Sequence, residues 1–218
     1  MKSDHVKSNY YYPDWNKNNS EIFWGEIAPC EHVCQIYESD EVFMNLLESF
    51  VTHGIKSGDS VIIIATENHR NALNLRLKAQ GFDLDKLYVT DQYIPLDAQA
   101  TLSNFQVDNW PDEALFIHTV TILLNRAKKH GRKVRAFGEM VAILWANGYS
   151  GATVRLEHLW QEFCDKEKFS LFCAYPQSGF TQDANTSLDH ICQSHTKMVN
   201  GWKKSPDDIF YKDSKRSI

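Results

Sequence analysis

The clearest candidate for chemistry in this 218-residue sequence is a glutamate at the end of an apolar segment, within Gly138-Glu139-Met140. A carboxylate at a strand end can accept hydrogen bonds from a ligand or a water molecule, and in a nucleotide hydrolase the same position suits metal or water activation. A glutamate that caps a helix or forms a salt bridge would look the same in sequence. Glu139 is therefore a candidate ligand contact with a purely structural alternative.

Metal ligation is the second chemistry that the residue types allow. Cys30, His32 and Cys34 form a Cys-x-His-x-Cys pattern of residue types that bind zinc. No second pair of ligands follows at the spacing of a zinc finger, so the pattern favours buried cysteines, and we predict no metal site and no cofactor. The five cysteines are few and scattered, which indicates reduced thiols. A redox sensor that uses Cys30 and Cys34 stays open as a further function.

Aromatic residues and one histidine are the remaining candidates. Tyr37 and Tyr175 end predicted strands, and Trp145 follows Glu139 in the chain, so these rings could line an apolar pocket or simply fill the core. His195 lies on the apolar face of the last predicted helix. A histidine in such a place usually makes one hydrogen bond inside the core, and a ligand role is the alternative.

Nucleotide chemistry lacks its sequence signature. The turn after the first predicted strand reads Glu38-Ser39-Asp40-Glu41, with no glycine to approach a phosphate and no lysine to neutralise it. No dinucleotide fingerprint and no Gly-x-Ser-x-Gly nucleophile motif occurs either. These absences argue against an ATPase, a kinase, a dehydrogenase or a serine hydrolase. A RecA-type ATPase with an atypical phosphate site is the alternative that remains.

Charge and hydropathy exclude several other classes. The formal net charge of −5 argues against a nucleic-acid surface and against docking on anionic lipid. The longest strongly apolar run, residues 61–65, is far shorter than the roughly 20 residues that a membrane helix needs. The first residues contain no apolar stretch typical of a secretory signal. We therefore predict a soluble, cytoplasmic protein that binds neither nucleic acid nor membrane.

The middle of the chain alternates strands and helices. A continuous β-branched run such as Val61-Ile62-Ile63-Ile64 is typical of a parallel strand buried on both faces. Repeated alternation predicts a doubly wound α/β domain, with a mostly parallel sheet of at least five strands between two layers of helices. Ligands of such folds bind at the carboxyl ends of the strands. The predicted strands are residues 32–37, 61–65, 87–90, 133–138 and 170–175, and a last helix is predicted through Leu188, Ile191, Cys192, His195 and Val199.

The length is that of one domain with extensions. We assign residues 1–27 to an N-terminal arm, in which Phe23 and Trp24 are apolar enough to pack on the body. Residues 28–202 form the domain. Residues 203–218, which are rich in charge, are predicted to be a solvated tail.

Several segments together resemble one protein family. They are 32–37 (HVCQIY), Gly138-Glu139-Met140, 144–148 (LWANG), 156–160 (LEHLW), 171–176 (LFCAYP), and Ile191 followed by Cys192 and His195. In order and spacing they resemble the methanogen/methylotroph sensory domain, MEDS, which occurs in prokaryotic transcriptional regulators and sensor histidine kinases. The resemblance covers about residues 28–200.

The resemblance implies a three-layer fold like that of the RecA and KaiC ATPases without their phosphate-binding loop. It also implies a non-enzymatic sensory module for a small organic ligand, signalling through a histidine kinase, a regulator or self-association. The residues that match the family's recurring positions are His32, Tyr37, Glu139, Trp145, Glu157, Trp160, Tyr175 and His195. From these we take His32, Tyr37, Glu139, Trp145, Tyr175 and His195 as candidate ligand contacts, with Tyr37 and Glu139 expected in one cavity at the carboxyl edge of the sheet.

Overall fold

The computed structural model describes residues 23–179, 191, 194–202 and 205–211. In this part of the chain one sheet has seven strands in the order β3-β2-β6-β7-β1-β8-β9, and two short strands form a separate hairpin. The strands are β1 (His32–Tyr37), β2 (Ser60–Ala65), β3 (Tyr93–Asp97), β4 (Gln106–Val107), β5 (Trp110–Pro111), β6 (Val134–Gly138), β7 (Ser170–Pro176), β8 (Lys197–Trp202) and β9 (Ser205–Tyr211). All neighbours in the main sheet pair in parallel except β8 and β9, which are antiparallel.

Helices cover both faces of the sheet. They are α1 (Asp40–Lys56), α2 (Glu67–Ala79), α3 (Leu84–Val89), α4 (Ala98–Ser103), α5 (Glu113–Lys128), α6 (Met140–Ala146) and α7 (Ser150–Glu167). The buried side chains of α1, α2 and α3 belong to one core cluster, and those of α4, α5, α6 and α7 belong to another. None of the helices in the described residues is long and apolar enough to cross a membrane.

The β2 run shows why both faces are apolar. Val61 and Ile63 belong to the core under α1, while Ile62 and Ile64 belong to the core under α5 and α7. Successive side chains of a strand point to opposite faces, so a strand between two helical layers needs an apolar residue at every position. The prediction of a doubly wound α/β domain with a mostly parallel sheet is confirmed.

The predicted third strand at residues 87–90 is wrong. Residues 87–89 belong to α3, and Thr90 is the C-cap of that helix. Asp83 caps the first turn, since its Oδ1 accepts a hydrogen bond from the Lys86 N–H at 3.1 Å. Leu84 and Leu87 are buried while Val89 is 86% exposed, which is the pattern of a helix with one apolar face. The strand of this unit is β3, which follows a turn at Asp91 with a positive φ of 51°.

The predicted last helix is wrong toward its C-terminal end, whereas Ile191 is helical as predicted. Val199 lies in β8, and His195 lies in the segment just before that strand. Leu188 and Cys192, which were assigned to the same helix, lie outside the described residues. Residues 205–211, which the sequence assigns to a charged tail, form β9. Val199 therefore belongs to a strand and not to the predicted helix.

Candidate functional site

Most of the predicted ligand contacts lie in two groups of side chains, one at the carboxyl edge of the sheet and one inside the core. Tyr37, Phe43, His69 and Glu139 lie at the carboxyl ends of β1, β2 and β6, and we call them the edge cluster. A second group lies inside the core, between the sheet and α7. It contains His32, Glu157, Cys173, Tyr175 and His195, and we call it the buried cluster.

Glu139 joins the ends of two neighbouring strands. It follows β6, and its backbone N–H donates to the Ile64 carbonyl of β2 at 2.9 Å. Its Oε2 accepts a hydrogen bond from the Thr66 N–H at 2.8 Å, and its Oε1 accepts one from His69 Nδ1 at 2.8 Å. Thr66 and His69 lie just after β2, so one carboxylate ties the carboxyl ends of both strands together.

Aromatic rings border this carboxylate. Tyr37, the last residue of β1, stacks on Phe43 of α1 with ring centroids 4.9 Å apart. Phe43 in turn meets the imidazole of His69 edge-on, also at 4.9 Å. Burial raises the pKa of the Tyr37 hydroxyl, and the negative charges of Glu139 and Asp40 raise it further. The Tyr37 hydroxyl therefore stays protonated and can donate a hydrogen bond.

The start of α1 offers little to a phosphate. Ser39 caps the helix, and its hydroxyl accepts a hydrogen bond from the Val42 N–H. The first turn carries Asp40 and Glu41, whose negative charges suit the helix dipole but repel an anion. The edge cluster therefore combines aromatic rings, one imidazole and one carboxylate beside an acidic helix start.

His69 gives the edge cluster a measurable pH dependence. Burial works to lower the pKa of His69, but the hydrogen bond and charge of Glu139 outweigh it, so the pKa is raised above 6.5. The pair therefore stabilises the fold fully below pH 6.5, and this stabilisation is lost as the pH rises through the raised pKa.

We expect His69→Gln to reduce the alkaline loss of stability relative to the wild type, by at most about 1.4 kcal/mol per pH unit. Urea unfolding at pH values on both sides of 6.5 measures it. His118→Gln, at an exposed position of α5, is the matched control and should leave the pH profile of the wild type unchanged. Parallel profiles for the wild type and His69→Gln would show that Glu139 does not hold a charged imidazole.

The buried cluster is assembled from four different elements. His32 begins β1, Cys173 and Tyr175 lie on β7, Glu157 lies on α7, and His195 precedes β8. Cys34 and Cys173 are register partners on β1 and β7, so the alternate residues His32 and Tyr175 project from the same face of the sheet. The Tyr175 hydroxyl donates to Glu157 Oε1, and the Cys173 thiol lies 2.9 Å from His195 Nε2.

In the buried cluster, neighbouring charges shift the pKa values of Glu157 and His195 in the direction opposite to the effect of burial. Burial works to raise the pKa of Glu157, but His195 and His32 lower it to about 2. Burial works to lower the pKa of His195, but the charge of Glu157 raises it to about 9. The pKa of His32 falls to about 3, because burial and the charge of His195 both disfavour its protonation. The cluster thus holds one carboxylate, one imidazolium and one neutral imidazole.

The structure divides the six predicted ligand contacts between these two places. Tyr37 and Glu139 lie together in the edge cluster, and His32, Tyr175 and His195 lie together in the buried cluster. Trp145 lies beside the buried cluster, with its ring edge-on to that of Tyr175 at 6.4 Å and its indole N–H donating to the Gly179 carbonyl at 2.6 Å. Glu139 and His195, which are both candidate ligand contacts, therefore have different sets of neighbours.

Sequence reasoning did not place Phe43 and His69 in the edge cluster, or Glu157 and Cys173 in the buried cluster. One signal was available for Glu157, because a carboxylate on the same helix face as Trp160 and Cys164 lies on a buried surface. The Cys-x-His-x-Cys pattern does not act as a unit. Cys34 interacts with Cys173, and Cys30, whose φ is 71°, lies in the turn before β1.

The fold defines the class of protein. The solved structure of PH0250 from Pyrococcus horikoshii OT3 is similar with a TM-score of 0.57 at 14% identity, over 91% of this chain and 93% of that chain. The KaiC-like protein PH0186 from the same hyperthermophilic archaeon is similar with a TM-score of 0.57 at 10% identity, over 87% of this chain and 83% of that chain. At these identities the likeness shows the fold, which is a KaiC-like three-layer α/β architecture.

The family follows from the sequence match. The family model of the methanogen/methylotroph, DcmR sensory domain (MEDS) matches residues 31–196, well over half of the chain. The chain belongs to this family, and the resemblance drawn from its motifs is confirmed. A comparison with curated proteins found no significant match. Membership of a sensory family indicates a sensory role.

Proposed function

We propose that this chain is a non-enzymatic sensory module that binds a small organic ligand at the edge cluster and passes the signal on by association. The observation that carries the proposal is Glu139, which joins the ends of β2 and β6 beside the stacked rings of Tyr37 and Phe43. Ligands of doubly wound folds bind at this edge of the sheet. Small-ligand pockets are usually lined by apolar and aromatic side chains, with only a few polar groups.

Charge narrows the ligand class. Asp40 and Glu41 begin α1 beside the edge cluster, and Glu67 begins α2. His69 is already paired with Glu139. The carboxylates of Asp40, Glu41 and Glu67 favour a neutral or cationic ligand over an anionic one, since like charges repel at short range. A cation could also lie against the face of Tyr37 or Phe43.

A ligand that contacts Glu139 would disturb the link between β2 and β6. The Glu139 carboxylate holds Thr66 and His69 at the start of α2, so a change in its hydrogen bonds would reach the outer surface of that helix. We propose that a separate histidine kinase or transcriptional regulator, or a second copy of the chain, responds to this change.

A thermal-shift screen tests the ligand site. Neutral, cationic and anionic small organic compounds are compared, and a ligand at about 100 times its dissociation constant should add about 2.7 kcal/mol of stability. We expect positive shifts among neutral or cationic compounds, and loss of the shift in Glu139→Gln. Glu113→Gln, at an exposed position of α5, is the matched control and should keep it.

ATP and GTP belong in the same screen, because the competing function is a RecA-type ATPase. We expect neither to bind, since residues 38–41 provide no glycine or lysine for phosphate. Micromolar binding of a nucleotide by calorimetry, lost when residues 38–41 are changed, would favour the ATPase. A shift that Glu139→Gln leaves intact would place the ligand elsewhere.

A further inference from the structure

Four potential metal ligands converge in the buried cluster. One nitrogen each from His32 and His195, the Cys173 sulfur and a carboxylate oxygen of Glu157 lie within 4.8 Å of one another. All four side chains are buried. They come from β1, β7, α7 and the segment before β8, so the convergence is a product of the tertiary fold.

Two atoms at the centre of this group lack hydrogen bonds. His32 Nε2 and Glu157 Oε2 are both buried without a well-formed hydrogen bond. They lie 3.5 Å from each other, and Glu157 Oε2 has only the longer ion-pair contact to His195 Nε2 at 3.4 Å. A buried polar atom without a partner destabilises the fold, and more so when it is charged. Such atoms are uncommon in folded proteins, and a bound ion is one of the explanations for them.

The outer nitrogens of both imidazoles are already hydrogen bonded. His32 Nδ1 lies 3.2 Å from Gln161 Oε1, and the amide of Gln161 is oriented by its Nε2, which donates to Asp165 Oδ2 at 3.0 Å. His195 Nδ1 lies 2.5 Å from the Ile191 carbonyl. Both partners are acceptors, so both Nδ1 atoms carry the hydrogen and both Nε2 atoms face the centre. Histidines that bind metals are held by outer hydrogen bonds of this kind.

The distances suit a four-coordinate ion. Bonds of about 2.0 Å to nitrogen and oxygen and about 2.3 Å to sulfur place the ligands of a tetrahedral zinc about 3.3–3.5 Å apart. Glu157 Oε2 lies 3.4 Å from His195 Nε2 and 3.5 Å from His32 Nε2, so both imidazoles are at ligand spacing from the same carboxylate oxygen. The 2.9 Å between Cys173 Sγ and His195 Nε2 would need to widen by about 0.6 Å when the ion binds.

The charges of the four side chains also suit a divalent cation. One carboxylate and one thiolate neutralise a divalent cation, and two neutral imidazoles complete the set. The resulting site has no net charge, which suits a group that is entirely buried. Cys173 would bind as the thiolate, so its thiol proton is released to solvent when the ion binds.

We propose that His32, Glu157, Cys173 and His195 bind one zinc ion in the core of the domain. The mixed nitrogen, oxygen and sulfur donors and the tetrahedral spacing favour Zn²⁺ over Mg²⁺ or Ca²⁺, which prefer oxygen ligands. Four protein ligands leave no position for a substrate, so the ion is structural and joins α7 and the segment before β8 to the sheet. The proposal is independent of the ligand site at the edge cluster.

Metal content and cobalt substitution test this proposal. We expect the full chain, purified without chelators, to contain about one zinc per molecule by elemental analysis. After removal of the metal under reducing conditions, added Co²⁺ should give the absorption bands of a tetrahedral site and a thiolate-to-cobalt charge-transfer band. X-ray absorption of the zinc-loaded wild type should show one sulfur neighbour at about 2.3 Å.

Variants assign the ligands. Cys173→Ser should remove the charge-transfer band, and Gln161→Leu should weaken zinc binding about 10–100-fold by releasing His32. Cys164→Ser is the matched control, since the Cys164 thiol is also buried but bonds to the Phe169 carbonyl. A protein that neither contains zinc nor binds Co²⁺ would overturn the proposal. A charge-transfer band that survives Cys173→Ser, or that is lost instead in Cys34→Ser, would overturn the ligand assignment.

Discussion

Arg135→Met is expected to lower the free energy of unfolding by about 3–5 kcal/mol, because it leaves a carboxylate buried without its partner. Arg135 Nε donates to Asp59 Oδ2 at 2.6 Å, and both side chains are buried. The same guanidinium donates to the Trp24 carbonyl at 3.2 Å and lies 5.8 Å from the Phe50 ring centroid. Urea unfolding measures the loss.

A double variant and a surface pair make this prediction specific. Arg135→Met combined with Asp59→Asn should be less destabilised than the sum of the single variants by about 0.5–3 kcal/mol, since no unpaired charge remains. Arg155→Met is the matched control. Its partner is Glu113 at 2.5 Å in an exposed pair, for which a loss of at most about 1 kcal/mol is expected. If Arg135→Met and Arg155→Met lowered the free energy of unfolding equally, burial of the Arg135–Asp59 pair would not be the cause of the loss.

Trp24→Ala is expected to cost about 3–5 kcal/mol, although Trp24 belongs to the segment that the sequence assigns to an arm. Its ring is fully buried and packs against Phe50 at 4.8 Å and Phe172 at 5.4 Å. The substitution would remove a large apolar side chain from the core under α1. Thermal and urea unfolding both measure the effect.

Two further variants serve as controls for Trp24. Trp24→Phe should be much milder, because it keeps an aromatic ring and removes an indole N–H that has no hydrogen-bond partner. Trp110→Ala tests a tryptophan of the same size that is 51% exposed, and its effect should be small. If Trp24→Ala unfolds at the same urea concentration as the wild type, residues 23–26 do not belong to the folded core.

Regular periodicity made much of the fold predictable. The β-branched run of β2 indicated burial on both faces, and Ser39 followed by two acidic residues is a local signal for the start of a helix, as at α1. Hydrophobic periodicity and capping are local properties, so neighbouring residues carry the information. The missing phosphate loop was equally visible, because glycine and lysine would have to occupy consecutive positions after β1.

Predictions of secondary structure were wrong where a short apolar run suits both a strand and a helix. Leu87, Tyr88 and Val89 form a short apolar run that suits a strand, yet Leu84 and Leu87 bury one face of α3. Val199 fitted a helical spacing with His195 and is instead in β8, which pairs in parallel with β1. Short apolar segments carry too little periodicity to separate strand from helix, and tertiary pairing decided between them.

The sequence by itself determined the family, the alternation of strands and helices, and the position of Glu139 at the end of β6. Only the tertiary structure showed that Glu139 meets His69, and that Glu157 and Cys173 lie with His32 and His195. The pairing of distant strands sets these contacts, and no short segment of the chain contains both partners. The physical reason is that β1 pairs with β7 on one side and β8 on the other while α7 packs on the same face, so four separate segments of the chain bring their side chains to one buried point.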